Sequence, residues 1–195
     1  MSLLRAQISR IAGMRWTSAP AFVLGAALLL GGCSPSYDWR EIRAEDDHYL
    51  AMMPGKPDAL TLPIDLAGMK VSMTMRGARV GDVAFTVAAT VLPEDSPTAR
   101  QQAIDGMRTA MLRNIAGREV AAEAVAVPVV DAIGQATGSA PGWRMEAAGT
   151  AAGNEVGMHA LFAAREDRAW QAVVVGPAPD REQARTFLDG FRITR

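Results

Sequence analysis

Residues 69–91, Met69-Lys70-Val71-Ser72-Met73-Thr74-Met75-Arg76-Gly77-Ala78-Arg79-Val80-Gly81-Asp82-Val83-Ala84-Phe85-Thr86-Val87-Ala88-Ala89-Thr90-Val91, set the architecture of this chain. Met69, Val71, Met73 and Met75 share one register, and Lys70, Ser72, Thr74 and Arg76 the other. Alternation with period two marks a strand that has one side in a core and one in water. After a turn around Gly77 and Gly81, Val83, Phe85, Val87, Ala89 and Val91 repeat the pattern. Two such strands in succession predict the centre of an antiparallel sheet with one covered face.

Upstream, Leu60 to Leu66 reads as a further strand, and Pro63, which has no N–H to give a ladder, assigns it to an edge or breaks it. Tyr49 to Met53 is a short strand closed by Pro54-Gly55-Lys56-Pro57, where the prolines fix φ and the glycine permits φ > 0. Downstream a helix starts at Ser96 as N-cap with Pro97 at its first position, and stops near Gly117. Ile104, Met107, Met111, Leu112 and Ile115 form its apolar stripe. Gly106 weakens it by about 1 kcal/mol.

Glu119 to Val130 predicts one or two short strands, and residues 134–142 (Gly-Gln-Ala-Thr-Gly-Ser-Ala-Pro-Gly) have the composition of a loop. Strands over Trp143 to Ala151, Glu155 to Arg165 and Arg168 to Gly176 follow, joined by hairpin-like turns at Gly153-Asn154 and Glu166-Asp167. The last helix carries a capping-box pattern at Asp180 and Gln183, and an apolar stripe of Ala184, Phe187, Leu188 and Phe191. No repeat of 20–50 residues is present. This order predicts an α+β fold, an antiparallel β-sheet covered by two main helices.

The N-terminal region follows a different logic. Residues 1–32 hold three arginines and no acidic residue, and Ala21 to Leu30 is an unbroken apolar block ahead of Gly31-Gly32 and Cys33. Those are the three parts of an export signal. Met14 offers an alternative start, because Met14 to Cys33 alone is a sufficient signal. Leu30-Gly31-Gly32-Cys33 resembles the lipobox of bacterial lipoproteins. That resemblance implies cleavage before Cys33, a diacylglyceryl group on its thiol and an acyl group, such as palmitate, on its new amine. Ser34, where an Asp would hold a lipoprotein on the inner membrane, implies the outer membrane. The alternative is an uncleaved anchor over Trp16 to Tyr37, a span of 22 residues without a charge that Pro20, Gly31-Gly32 and Pro35 interrupt. Under both readings the remainder faces the periplasm. Residues 33–47 then read as an acidic polar tether and 48–195 as a single domain.

Three phrases of that domain resemble the PsbP-like superfamily. They are the short strand running into Met53-Pro54-Gly55-Lys56-Pro57, the late strand Arg168-Ala169-Trp170-Gln171-Ala172-Val173-Val174-Val175-Gly176, and a closing helix with Phe187 and Phe191. The likeness covers about residues 48–195. It implies an α/β/α sandwich that acts as a docking or assembly module, usually without catalysis.

The side-chain chemistry agrees with that expectation. Beyond residue 32 there are 17 basic and 21 acidic side chains, a balance that argues against nucleic acid as a partner. A single cysteine excludes an internal disulfide and a Cys-x-x-Cys pair. His48, after Glu45-Asp46-Asp47, belongs to a solvated charge run, and His159 to the solvent side of a strand. Gly138-Ser139-Ala140-Pro141-Gly142 lacks the spacing of a nucleophile elbow, and Pro54-Gly55-Lys56 that of a phosphate loop. The methionines fill cores. No catalytic, metal or cofactor residue is therefore assigned. The expected function is a lipid-anchored, non-enzymatic module that meets membrane lipid through acylated Cys33 and binds a protein or another envelope component. Trp143, Trp170, Phe187 and Phe191 are candidates for a partner groove. An alternative is a small-molecule or lipid-binding protein with a pocket between the sheet and the second helix, lined by Trp170, Phe187 and Phe191. An envelope hydrolase using His48 or His159 is a minor third.

Overall fold

The structure, a computed structural model, describes residues 37–195. The export signal, the lipobox and Cys33 lie outside the described residues. Ten strands form one sheet: β1 (Arg40–Ala44), β2 (Tyr49–Met53), β3 (Asp58–Leu66), β4 (Met69–Val80), β5 (Val83–Val91), β6 (Arg118–Val130), β7 (Ala136–Ala151), β8 (Asn154–Arg165), β9 (Arg168–Gly176) and β10 (Arg192–Thr194). The helices are α1 (Pro97–Asn114) and α2 (Arg181–Asp189). Spatially the strands run β1-β2-β10-β6-β7-β8-β9-β5-β4-β3, so β3, with Pro63 in it, is the edge strand that its proline requires. All pairs are antiparallel except β10 with β6. Among the described residues no helix is long and apolar enough to cross a membrane.

The α/β/α sandwich with two main helices is not what forms. Strand accounts for 58% of the structure, the sheet curls into a half-barrel, and helices of 18 and 9 residues cover only part of it. Three stretches read as something other than strand account for the difference. Arg40–Ala44 lies in the expected tether, yet it pairs along its whole length with β2. Residues 136–142 lie in the expected loop, yet they open the 16-residue β7. Their small side chains serve close packing: a Cβ on Gly142 would stand 2.6 Å from Val127 Cγ2. The chain after α2 adds β10, which fills the gap between β2 and β6.

Hairpin parity explains a second departure. β4 and β5 meet through the two-residue turn Gly81-Asp82, with Gly81 at φ +57°, so Val80 faces Val83 and Met75 faces Ala88. Odd-numbered residues of β4 thus pair with even-numbered residues of β5. The methionine stripe and the Val/Phe stripe consequently face opposite sides, and both faces of this hairpin are covered where one was expected. Met69, Val71 and Met73 pack with α1, together with Ala88, Phe162 and Val173. Phe85, Val87 and Ala89 pack with α2, together with Trp170, Phe187 and Phe191.

The curl closes around α2. Tyr37 and Trp39 stack on each other at 5.7 Å and both meet the Phe85 ring nearly at right angles, at 6.0 and 5.9 Å, and Phe85 in turn meets Phe187 at 5.5 Å. Trp39 Nε1 donates to Gln183 Oε1 of α2 at 3.2 Å. At the far end the β1–β2 turn reaches across the curl. Its Asp47 carboxylate pairs with Arg76 of β4, and its Asp47 carbonyl accepts Trp170 Nε1–H of β9 at 2.7 Å. Arg168 donates to the Asp46 carbonyl at 3.0 Å. Tyr49 beneath is fully buried with no partner for its hydroxyl, and burial pushes its phenol pKa up against the pull of Arg76.

The Asp47 side chain is 14% exposed and that of Arg76 24%, so the pair is shielded enough to matter. Replacing Asp47 by Ala leaves the guanidinium without its partner and should lower the unfolding free energy by about 1–3 kcal/mol. Urea titration of D47A, R76M and the double variant gives the coupling. A coupling indistinguishable from zero would remove the pair from the account.

Candidate functional site

α1 packs on the sheet through a narrow strip of small side chains. Its N-terminus is fixed by Ser96 Oγ, which accepts from Ala99 N at 3.1 Å, and its buried side is narrow: Ala99, Ala103 and Met107. Halfway along, Gln102 Nε2 donates to the Ala67 carbonyl in the β3–β4 turn at 2.6 Å. Gly106 permits that approach, since a Cβ there would stand 3.0 Å from Ala67 Cβ and 3.1 Å from Leu66 Cδ1. The C-terminal end docks separately on β7, where Thr150 N donates to the Ile115 carbonyl at 2.6 Å and Gly149 leaves room for it. Between these two fixed points the helix and the β3–β4 hairpin enclose an open cavity of about 560 Å³. That size lies within the range of small-ligand pockets, about 300–1,000 Å³.

The wall is apolar. Ile64, Leu66, Met73 and Met75 supply the hairpin side, and Met107 and Met111 the helix side. Four unbranched thioether side chains make a lining that adapts to the shape of an occupant. One polar side chain enters from the floor: Gln171 of β9, only 6% exposed. Its carboxamide offers the cavity both a donor and an acceptor. Outside the cavity, Leu60 and Leu62 on the unpaired edge strand are 54% and 41% exposed, which extends the apolar surface beyond the mouth.

The four residues expected to frame a groove are not brought together. Trp170, Phe187 and Phe191 are buried together on the α2 face, where Phe191 borders a cavity of about 240 Å³ between α2 and the sheet and Trp170 one of about 280 Å³. Trp143 points to the opposite face, with the Arg108 guanidinium 4.8 Å above its ring and its own indole N–H unpartnered. The cavity is formed instead by residues read as core fillers, Met73, Met75, Met107 and Met111. Its signal was present in three places: two methionine-rich stripes, a glycine inside a helix, and a glutamine in an apolar strand.

His48 sits in the β1–β2 turn at φ +55° and borders a smaller cavity of about 280 Å³ with Arg165, Arg168 and Arg195. Among the described residues no group of three or more His, Cys, Asp or Glu side chains is placed to hold a metal. His159 is on the α2 face, with its side chain 15% exposed and Nδ1 3.6 Å from Glu146 Oε1, while Arg181 donates to the other carboxylate oxygen, Oε2, at 3.0 Å. Burial lowers its pKa, Glu146 opposes the shift and Arg181 adds to it.

Because the folded chain resists protonating His159 while the unfolded chain does not, stability is retained above the unfolded pKa of 6.5 and lost as pH falls below it toward the lower folded value. The expected result is a decline in urea midpoint between pH 7 and pH 5 that is smaller in His159→Gln. Parallel profiles for the two proteins would contradict this.

No family model matches the chain, and no curated protein matches it in sequence. Likeness appears among solved structures. The solution structure of cyanobacterial PsbP (CyanoP) from Synechocystis sp. PCC 6803 superposes with a TM-score of 0.52 at 12% identity, covering 84% of this chain and 96% of that one. A protein of unknown function from Pseudomonas aeruginosa, PA94, gives a TM-score of 0.39 at 9% identity, covering 74% of this chain and 87% of its own. The first of these shows that the domain has a PsbP-like fold.

Proposed function

We propose that this chain is a lipid-anchored, non-catalytic binding module on the periplasmic side of a bacterial envelope, at the outer membrane. The observation that carries the binding half is the open methionine-lined groove between α1 and the β3–β4 hairpin. Its wall offers adaptable apolar contact and a hydrogen-bonding amide, which are the means of holding a partner. The PsbP-like fold is consistent with such a role. The anchoring half rests on Leu30-Gly31-Gly32-Cys33 after the apolar block. One acyl chain holds a protein only marginally, whereas each further buried CH₂ adds about 0.8 kcal/mol, so a multiply acylated Cys33 keeps the domain at the membrane surface.

A second reading, a small-molecule or lipid-binding lipoprotein, draws on the same groove and moves the binding site from α2 to α1. An envelope protein partner would engage the groove together with exposed Leu60 and Leu62. In both readings Cys33 contacts lipid and the domain carries no cofactor.

The intact mass of the protein extracted from native membranes tests the anchor. The expected species begins at Cys33 and carries the mass of a diacylglyceryl group plus one acyl chain. It should shift to the uncleaved precursor when lipoprotein signal peptidase is inhibited with globomycin. An unmodified chain that retains residues 1–32 with and without inhibitor would contradict the anchor and favour a spanning segment.

A further inference from the structure

The sheet register lays Phe162 of β8, Gln171 of β9, Ala88 of β5, Met75 of β4 and Leu60 of β3 in one row across five neighbouring strands. The row rises from the fully buried to the half-exposed: Phe162 is 0% exposed, Gln171 6% and Leu60 54%. From Gln171 to Leu60 it crosses three strand spacings, about 14 Å at 4.8 Å each. It forms a track, apolar along its length, with a single amide at its inner end and an open outer end.

The charged side chains of the cavity, Asp65, Asp105 and Arg113, are all exposed at the mouth. Two of them are already engaged: Asp65 accepts from Gly68 N at 2.6 Å, and Asp105 accepts from Gln101 and pairs with Arg108. At the inner end no cation stands ready for an anion. A carboxylate carried there would lose its water and gain only a neutral amide, which costs far more than it returns. A neutral head that both donates and accepts would satisfy the carboxamide without that loss.

We propose that the groove binds a medium-chain neutral amphiphile, an alkyl chain with an alcohol or an N–H amide at one end. Its head meets Gln171 and its tail runs between Met75 and Met111 toward Leu60. At about 1.25 Å per carbon, from bonds of about 1.5 Å at tetrahedral angles, the track accommodates roughly ten to twelve carbons. This deepens the binding role proposed above by naming the occupant. It does not depend on the anchor.

The test uses the full chain in its membrane and a photoreactive 1-decanol carrying a diazirine near the chain end. Labelled peptides should map to residues 60–62 and 73–75, at the outer end of the track, and excess 1-decanol should compete while decanoate at pH 8 does not. Ala110→Trp, which places an indole in the cavity from a half-buried position, should abolish labelling while the thermal midpoint stays within a few degrees. Gln171→Leu should raise the 1-decanol concentration needed for half-competition about tenfold, and leave competition by decane unchanged. Labelling that maps elsewhere, that survives Ala110→Trp, or that decanoate displaces as well as 1-decanol does would overturn the proposal. A dimer seen in sedimentation and abolished by Ala110→Trp, without any groove labelling, would assign the groove to a second copy and overturn it equally. Because none of these readouts requires Cys33 to be acylated, failure here is distinguishable from failure of the anchor.

Discussion

Asp47 ties together parts of the sheet that lie far apart in strand order. Its carboxylate holds Arg76 of β4 and its carbonyl holds Trp170 of β9, while Tyr49, two residues on, is buried beneath the Arg76 guanidinium. A ten-stranded twisted sheet left open would expose apolar surface at both ends of the twist. Folding the β1–β2 flank back onto β4 and β9 brings the inner faces of β2, β5, β8 and β9 around one short helix. The stacked Tyr37–Trp39 pair and the Phe85–Phe187 contact then complete an aromatic core around α2. Aromatic pairs of this kind contribute about 0.5–1.5 kcal/mol each beyond the area they bury.

Sealing the inside transfers the burden of function to the outside. α1 must cover the outer faces of β3, β4, β5, β8 and β9, yet its buried side is mostly alanine; it is tied to the β3–β4 turn by Gln102 on Ala67, and on its other side by Arg100 on the Glu166 carbonyl, Arg108 on Glu119 and Ile115 on Thr150. Between them the methionines of β4 and α1 face each other across space. The groove is thus a consequence of helix anchoring combined with small side chains on the underside of the helix. The result is a PsbP-like frame with an aromatic core around α2 and an open flank beside α1.

Much of this was legible from residue alternation. The edge position of β3 followed from Pro63, the start of α1 from Ser96-Pro97, the N-cap of α2 from Asp180, and the late strands from their period-two runs. What escaped was long-range or parity-dependent. Period two establishes that a strand has two faces, and only the length of the turn decides which faces of neighbouring strands coincide. A two-residue turn at Gly81-Asp82 put the methionine and Val/Phe stripes on opposite sides, so both looked like the lining of one core. Arg40–Ala44 and residues 136–142 carry polar or small side chains because their strands are held by neighbours rather than by their own apolar content. Composition cannot register that kind of support. Trp170, Phe187 and Phe191 are large and therefore conspicuous in the sequence, and the structure buries all three in the core around α2.

The central claim is that the β4 methionine stripe opens outward onto a groove while the opposite face of the sheet is closed. Peroxide footprinting of the full chain, read methionine by methionine with mass spectrometry, tests it directly, since thioether oxidation follows access. Half-buried Met75 and Met111 should oxidise well before fully buried Met53 and Met145, which should react only on unfolding. Oxidation of Met53 as fast as Met75 would mean that the interior is open and the outer groove is not distinctive, and the account would fall.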